Sequence, residues 1–258
     1  MYPLHRYRSL ADLTTAEEEA LLSLGDAELI FSPRDTIRSQ GDAVAGFYLH
    51  IGGWVASSIM LPDGARLIQK IHLPGDMLGT PSMVLARAAD TLTAITEAVV
   101  AFVPFERLGA IYIGLPRLAA LFAVAIQAER LALMDTLAVT GRASAKQQVA
   151  CLLLDLHARL TPLGLVEDDG FELPLSQEVI GDLAGLTAVH VNRKLREMRE
   201  AGLIGREGAR VRILDLARLR ALSPITPRQL QVQPAWLPPA SFAGSDGHRK
   251  AQLERSRP

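Results

Sequence analysis

Residues 173–204 read LPLSQEVIGDLAGLTAVHVNRKLREMREAGLI, and this stretch decides the fold. Ser176 is a good N-cap for a short helix whose inner stripe is Val179, Ile180 and Leu183. Gly185 stands where that helix must end and the chain reverse, because a left-handed backbone costs glycine nothing. Thr187 caps a second helix, on which Val191, Leu195 and Met198 at i, i+4 and i+7 give one buried face. The opposite face carries Ala188, Val189, Asn192, Arg193, Arg196 and Arg199. A helix, a tight turn and a second helix with a basic outer face suit a DNA major groove. The candidate DNA-binding residues are Ser176, Gln177, Thr187, Ala188, Val189, His190, Asn192, Arg193 and Arg196.

Charge distribution supports a double-stranded DNA partner. Residues 187–212 hold seven basic side chains (Arg193, Lys194, Arg196, Arg199, Arg206, Arg210, Arg212) and three acidic ones (Glu197, Glu200, Glu207), a local balance of +4. The whole chain is −1, so the remainder is −5 (−1 minus +4), and backbone phosphates are drawn to this end alone. The plainer reading is a solvated face, with Arg196 and Glu200 as an ordinary helix pair. It does not account for the coincidence of Gly185, both caps and the buried stripe. Beyond the motif, Gly202-Leu203-Ile204 and ARVRILD, separated by Gly205 and Gly208, predict a short hairpin that reaches adjacent phosphates.

Upstream, residues 10–30 have helical texture, with Thr14 or Thr15 as cap. From about 36 to 104, short β-rich pieces such as FYLHI and RLIQKIHL alternate with turn signals about every ten residues, as in a small antiparallel sandwich or roll. Pro116 opens a long helical run. On it Leu121, Val124, Ala128, Leu131 and Ala138 follow a near-heptad, while Leu118, Phe122, Ala125 and Ala132 form a second apolar flank. The pattern alone allows that flank to meet either another helix of the same chain or a second copy. Gly141 is expected to break the helix, and Val149 to Leu160 form the next one. Residues 161–174 read as a linker.

Cys151 is the single cysteine, which rules out an intrachain disulfide and cysteine-built zinc or iron–sulfur sites. With no basic or metal-ligating neighbour visible, it reads as a structural thiol. The N-terminus carries no apolar leader and no run is long enough for a membrane span, so a cytoplasmic location with no membrane partner is expected. Residues 223–258 hold six of the fifteen prolines and almost no periodicity, which predicts a disordered tail.

Taken together, QGD, GGW, the turn LPGDMLG, the long helix, TGRASAKQQVACLLLDL and the 173–204 block resemble the Crp/Fnr family of bacterial regulators, in order, from about residue 10 to 225. The resemblance implies an α+β fold: an N-terminal antiparallel β-roll of the cyclic-nucleotide-binding type (1–115), a long dimerisation helix (116–140) and a C-terminal winged helix-turn-helix (141–222). It implies a homodimer on a two-fold symmetric operator, and contact with RNA polymerase if the protein activates.

The candidate effector pocket is Gly75, Leu78, Gly79, Thr80, Ser82, Asp90 and Thr91. Members that bind cyclic AMP follow the glycine here numbered 79 with a glutamate and carry an Arg-Ser pair shortly after. This chain has Thr80-Pro81-Ser82 and then Ala89-Asp90-Thr91. An acid with no arginine would repel a cyclic phosphate, although Arg87 is near in sequence. No cofactor is expected: cyclic nucleotide is disfavoured, and the N-terminal cysteines of iron–sulfur members are missing. Haem would need His50 or His72, which read more simply as satisfied or exposed strand histidines. At the second helix, Arg193 keeps the place of the family's base-reading arginine, whereas Ala188 and Val189 replace polar readers, so the operator departs from the usual half-site. The alternatives are a haem-dependent sensor of the same build and a cupin-like metalloenzyme. The latter needs clustered histidines, and no His-x-His occurs.

Overall fold

The computed structural model describes residues 1–240. Two short helices, α1 (His5–Arg8) and α2 (Thr15–Leu22), open the chain. Thr14 caps α2 and Glu17 reaches back to the Thr14 amide, a reciprocal cap. The helical texture expected to residue 30 stops at Leu22, because the next segment pairs as a strand.

Eight strands follow: β1 (Glu28–Phe31), β2 (Thr36–Arg38), β3 (Gly46–Gly52), β4 (Val55–Met60), β5 (Arg66–His72), β6 (Met77–Leu78), β7 (Thr91–Ala94) and β8 (Ala98–Pro104). They form two antiparallel sheets, β1-β8-β3-β6 and β2-β7-β4-β5, facing each other as a roll. Its interior is small and aliphatic, with Val55, Leu78, Leu92, Ala98 and Val100 fully buried.

Helix α3 (Phe105–Gly114) is joined to α4 (Pro116–Arg142) by a bend of 119° at Leu115. The break expected at Gly141 falls instead at Ala143, whose extended backbone ends α4, and Ser144 with Gln147 forms the reciprocal cap of α5 (Ala145–Leu160). Gly141 continues the helix, since nothing at that position requires a reversal. The linker reading of 161–174 also needs correcting. It contains β9 (Gly170–Glu172), which pairs with the wing because Phe171 fills the core beneath it. After β9 come α6 (Gln177–Ala184), α7 (Ala188–Glu200), β10 (Ile204–Glu207), β11 (Arg210–Ile213) and α8 (Leu216–Ala221).

Helix α4 divides its faces differently from the expectation. Leu118, Leu121, Phe122 and Ala125 from both predicted flanks turn into one core with Tyr7, Leu21, Phe47 and Val103. Each large side chain so buried contributes about 1.5–3 kcal/mol. The bare apolar stripe is Ala123, Ile126, Leu133 and Leu137, with Arg130 between them. A second core joins Trp54 and the outer face of β4–β5 (Ala56, Ile68, Ile71) to α5, α6 and α7 (Leu153, Ile180, Leu195), so the C-terminal unit is seated on the roll.

The disordered tail expected over 223–258 is corrected for 223–240. Gln233 donates its backbone N–H to the Leu10 carbonyl at 2.8 Å, Leu237 is buried, and Arg228 pairs with Asp135 at 2.9 Å. Its prolines favour extended chain, which can lie along a helix without forming an element of its own. Residues 241–258 lie outside the described residues. Among the described residues, no single helix is long and apolar enough to cross a membrane.

One carboxylate joins these parts. Asp76, in the turn between β5 and β6, pairs with Arg6 (2.5 Å), Lys70 (3.2 Å) and Arg159 (3.0 Å), and His72 Nδ1 lies 3.5 Å away. Glu129 of α4 also holds Arg6 and, at 2.5 Å, Lys70. Burial alone would raise the Asp76 pKa, but Lys70, Arg159, His72 and Arg6 together hold it well below the usual carboxylate range. His50, buried and close to the same network, is pushed down to about 4, first by desolvation and then by His72.

Asp76→Asn should cost about 3–5 kcal/mol in urea unfolding, because it removes the one anion that Arg6, Lys70 and Arg159 share and leaves three cations to two partly exposed carboxylates. Acid should act earlier, through His50. Its contribution is complete above the ordinary histidine value of 6.5 and is lost as pH falls toward about 4, since only the unfolded chain takes the proton. The Asp76 contribution persists to lower pH and disappears as pH falls below the ordinary carboxylate value through the depressed one. Urea titrations from pH 7 to 4 should show stability falling below pH 6.5, with a flatter slope in His50→Gln. An equal slope would remove His50 from the account.

Candidate nucleic-acid interface

The α6–α7 pair is built as its residue types dictate. Ser176 Oγ accepts the Val179 N–H at 3.2 Å, and Thr187 Oγ1 accepts that of His190 at 3.3 Å. Gly185 takes the left-handed conformation (φ 66°) that ends α6. Gly181 is equally constrained: a Cβ there would lie 2.4 Å from the Leu186 carbonyl oxygen, so the two helices meet only because that carbon is missing. Ile180, Val191, Leu195 and Met198 are buried, as the spacing predicts, while Val179 and Leu183 are half-buried at the margin.

All nine predicted DNA-binding residues lie on this pair. Ser176 and Gln177 start α6 and Thr187 caps α7. On α7, Val189 is 77% exposed, and His190, Asn192, Arg193 and Arg196 are exposed, with Ala188 half-buried beside them. Lys194 gives both its contacts to Glu197, at 2.8 and 2.9 Å, and holds that carboxyl below its usual range. Arg193 Nε stands 3.8 Å from Glu197, a loose tether that leaves its guanidinium free to turn outward. The predicted hairpin is β10–β11, with Gly208 left-handed at its tip (φ 60°).

The predicted effector residues do not all meet. Gly79, Ser82 and Asp90 converge, but on a residue that sequence reasoning passed over, Arg38. Arg38 Nη2 donates to Asp90 Oδ1 at 2.5 Å and to Ser82 Oγ at 3.3 Å, and Nη1 donates to the Gly79 carbonyl at 3.5 Å. Both charged side chains are buried. The expectation of an acid with no arginine beside it is therefore wrong. Strand alternation would send Arg38 outward next to Ile37, but the β2–β7 register slips between Thr36 and Arg38 and turns it inward. Arg87 is occupied elsewhere, donating to the Gly41 carbonyl at 2.9 Å.

Leu78 belongs to the roll interior, Thr80 begins a 3-10 turn, and Thr91 accepts the Gln40 N–H at the rim. Gly75 faces away from the cluster: its carbonyl accepts the Tyr2 hydroxyl at 2.6 Å, and a Cβ there would strike the His5 ring. A cyclic phosphate needs an uncompensated cation, and the Arg38 charge is already met by Asp90, so this cluster does not fit that ligand.

His50 and His72 are both buried and hydrogen-bonded, to the Gly52 carbonyl (3.0 Å) and Ser57 Oγ (3.1 Å). Among the described residues, no three His, Cys, Asp or Glu side chains are grouped to hold a metal. Cys151 is half-buried and 3.6 Å from Ser223 Oγ, with burial pushing its thiol up.

Two family models match the two halves: a cyclic nucleotide-binding domain over residues 28–112 and a Crp-like helix-turn-helix domain over 147–222. The nitrogen fixation regulation protein FixK of Bradyrhizobium diazoefficiens is 34% identical over 197 residues, covering 75% of this chain and 80% of that protein. The transcriptional activator protein FnrA of Stutzerimonas stutzeri is 28% identical over 189 residues, covering 73% and 77%. Among solved structures, FixK2 from Bradyrhizobium japonicum superposes with a TM-score of 0.69 at 26% identity, over 78% of this chain and 98% of that one. On its α6–α7 reading pair, its roll and these matches, the chain belongs to the Crp/Fnr family of transcription regulators.

Proposed function

We propose that this regulator binds a two-fold symmetric operator as a homodimer and that its β-roll works without a cyclic nucleotide. The observation that carries the first part is the outward face of α7, with Arg193 and Arg196 exposed above a fully buried spine. Arg193 is the bidentate guanine reader, Asn192 an adenine or phosphate contact, and Val189 an apolar contact to a thymine methyl. Ser176, Gln177 and Thr187 lie at helix N-termini, where backbone N–H groups favour phosphate. RNA polymerase becomes a further partner where the bound protein activates.

The dimer reading rests on α4. Ala123, Ile126, Leu133 and Leu137 recur at coiled-coil spacing on an exposed face, and a copy related by a two-fold axis would cover them. The buried Arg38–Asp90 pair supports the ligand part, since it meets the charge that a phosphate would need.

Four outcomes follow for measurement. Arg193→Ala should weaken binding to an operator selected from random DNA by about 1–3 kcal/mol and relax one base position in each half-site. Arg196→Ala should weaken all sequences alike and reduce the salt slope by about one; equal effects of the two would refute the division of roles. Leu133→Glu with Leu137→Glu should give a monomer in light scattering while the thermal transition stays cooperative, and a persisting dimer would place the interface elsewhere. Cyclic AMP should leave operator affinity unchanged, and a clear increase would overturn the nucleotide-free reading.

A further inference from the structure

The chain from Pro224 to Ala240 leaves α8, the last helix of the DNA-binding unit, and returns to the other end of the molecule. Arg228 is clamped to Asp135 by three hydrogen bonds of 2.9–3.1 Å. Gln233 is held by its N–H to the Leu10 carbonyl and by its side chain to Asp12 at 2.5 Å. Pro234 and Leu237 are buried, and Leu237 joins the core of α4 and the N-terminal helices. Finally, the Pro238 carbonyl accepts Arg117 Nε at 2.8 Å. The remaining nitrogens of Arg117 bind Glu17 (2.6 Å) and the Asp12 carbonyl (3.0 Å), so the segment closes over a buried ion pair.

The anchors on α4, Arg117 and Asp135, are eighteen residues apart. At 3.6 residues per turn that is about five turns, so both lie on one face, separated by about 27 Å along the axis. The ten residues from Arg228 to Pro238 reach about 33–36 Å when extended, enough to span the distance in a nearly straight path. The path follows the line of Val124, Ala128 and Leu131, which are half-buried, and lies roughly opposite the bare stripe of Ile126, Leu133 and Leu137. A strap there does not compete with a second copy for the stripe.

We infer that residues 224–240 are a strap that fixes the DNA-binding unit to the long helix and the N-terminal domain, and so presets the placement of the two reading helices in the dimer. The inference rests on the homodimeric operator-binding reading. The unit is already attached on one side, to the roll, through the core shared with β4–β5, the Arg66–Asp182 pair at 2.6 Å and the Arg159–Asp76 pair at 3.0 Å. A body held at one patch can rock about it, particularly at the extended Ala143 junction between α4 and α5. A second attachment through Asp135 and the far end of α4 opposes that rocking. It moves the ordering cost of DNA docking into folding, which raises affinity.

Three full-length-derived chains test this: the intact protein, one ending at Ala240 and one ending at Pro224. The Ala240 chain should match the intact protein. The Pro224 chain should be cut faster by protease at the 141–146 junction and bind the selected operator weaker by on the order of tenfold, while remaining dimeric. Equal cleavage and equal affinity of the two shortened chains would overturn the strap, and so would tighter binding by the shorter one. Arg228→Asp should reproduce the loss in part, and adding Asp135→Arg should restore it; failure of the double variant to recover would count against the clamp. The cleavage comparison needs no DNA. Failure of the intact protein to bind any operator would therefore count against the regulator reading while the strap is still decided.

Discussion

The architecture depends on Asp76 being surrounded by cations from elements distant in the chain. Arg6 comes from the N-terminal helix, Lys70 and His72 from β5, and Arg159 from the helix that carries the DNA-binding unit. A buried carboxylate is costly alone, and so is each of its partners, so the network is favourable only when all of these elements are in place. Hydrophobic packing sets how strongly the roll, α4 and the C-terminal unit adhere. The charge cluster sets the geometry in which they do so, because a shifted α5 would break the buried Arg159–Asp76 pair. Glu129 extends the same condition to α4, through Arg6 and Lys70.

The reading pair shows a division between scaffold and contact. Its caps, its glycine turn and its buried spine are satisfied within the pair and its core, which leaves the outer face of α7 free of structural duties. Val189 and Arg193 can therefore change without unfolding the domain, whereas Gly181 cannot accept even a methyl group without moving the Leu186 carbonyl. Specificity is adjustable here, and the frame that presents it is not.

Much of this was legible in the residues. The 173–204 block and the wing are governed by short-range rules of capping, positive-φ glycine and helical period, and those rules act over the same few residues that they position. The roll was legible as a class from its turn spacing. Three features were not. Arg38 enters the roll through a register slip, which depends on the partner strand and leaves no local mark. The bare stripe on α4 lies outside both predicted flanks, because helical spacing alone does not say which apolar face the roll covers. The 224–240 segment lacks periodicity because it forms no helix or strand of its own, and its order comes from Asp135, Arg117 and Leu10, about a hundred or more positions away.

The Arg38–Asp90 pair has an evolutionary consequence. Replacing Asp90 by arginine alone would press two guanidinium groups together in a dry pocket, and replacing Arg38 alone would leave a naked carboxylate there. Each single step toward an anion-binding pocket passes through a poorly folded intermediate, so the two positions can exchange roles only together. The pair therefore resists piecemeal replacement, and the chemistry of this corner of the roll changes in double steps or not at all.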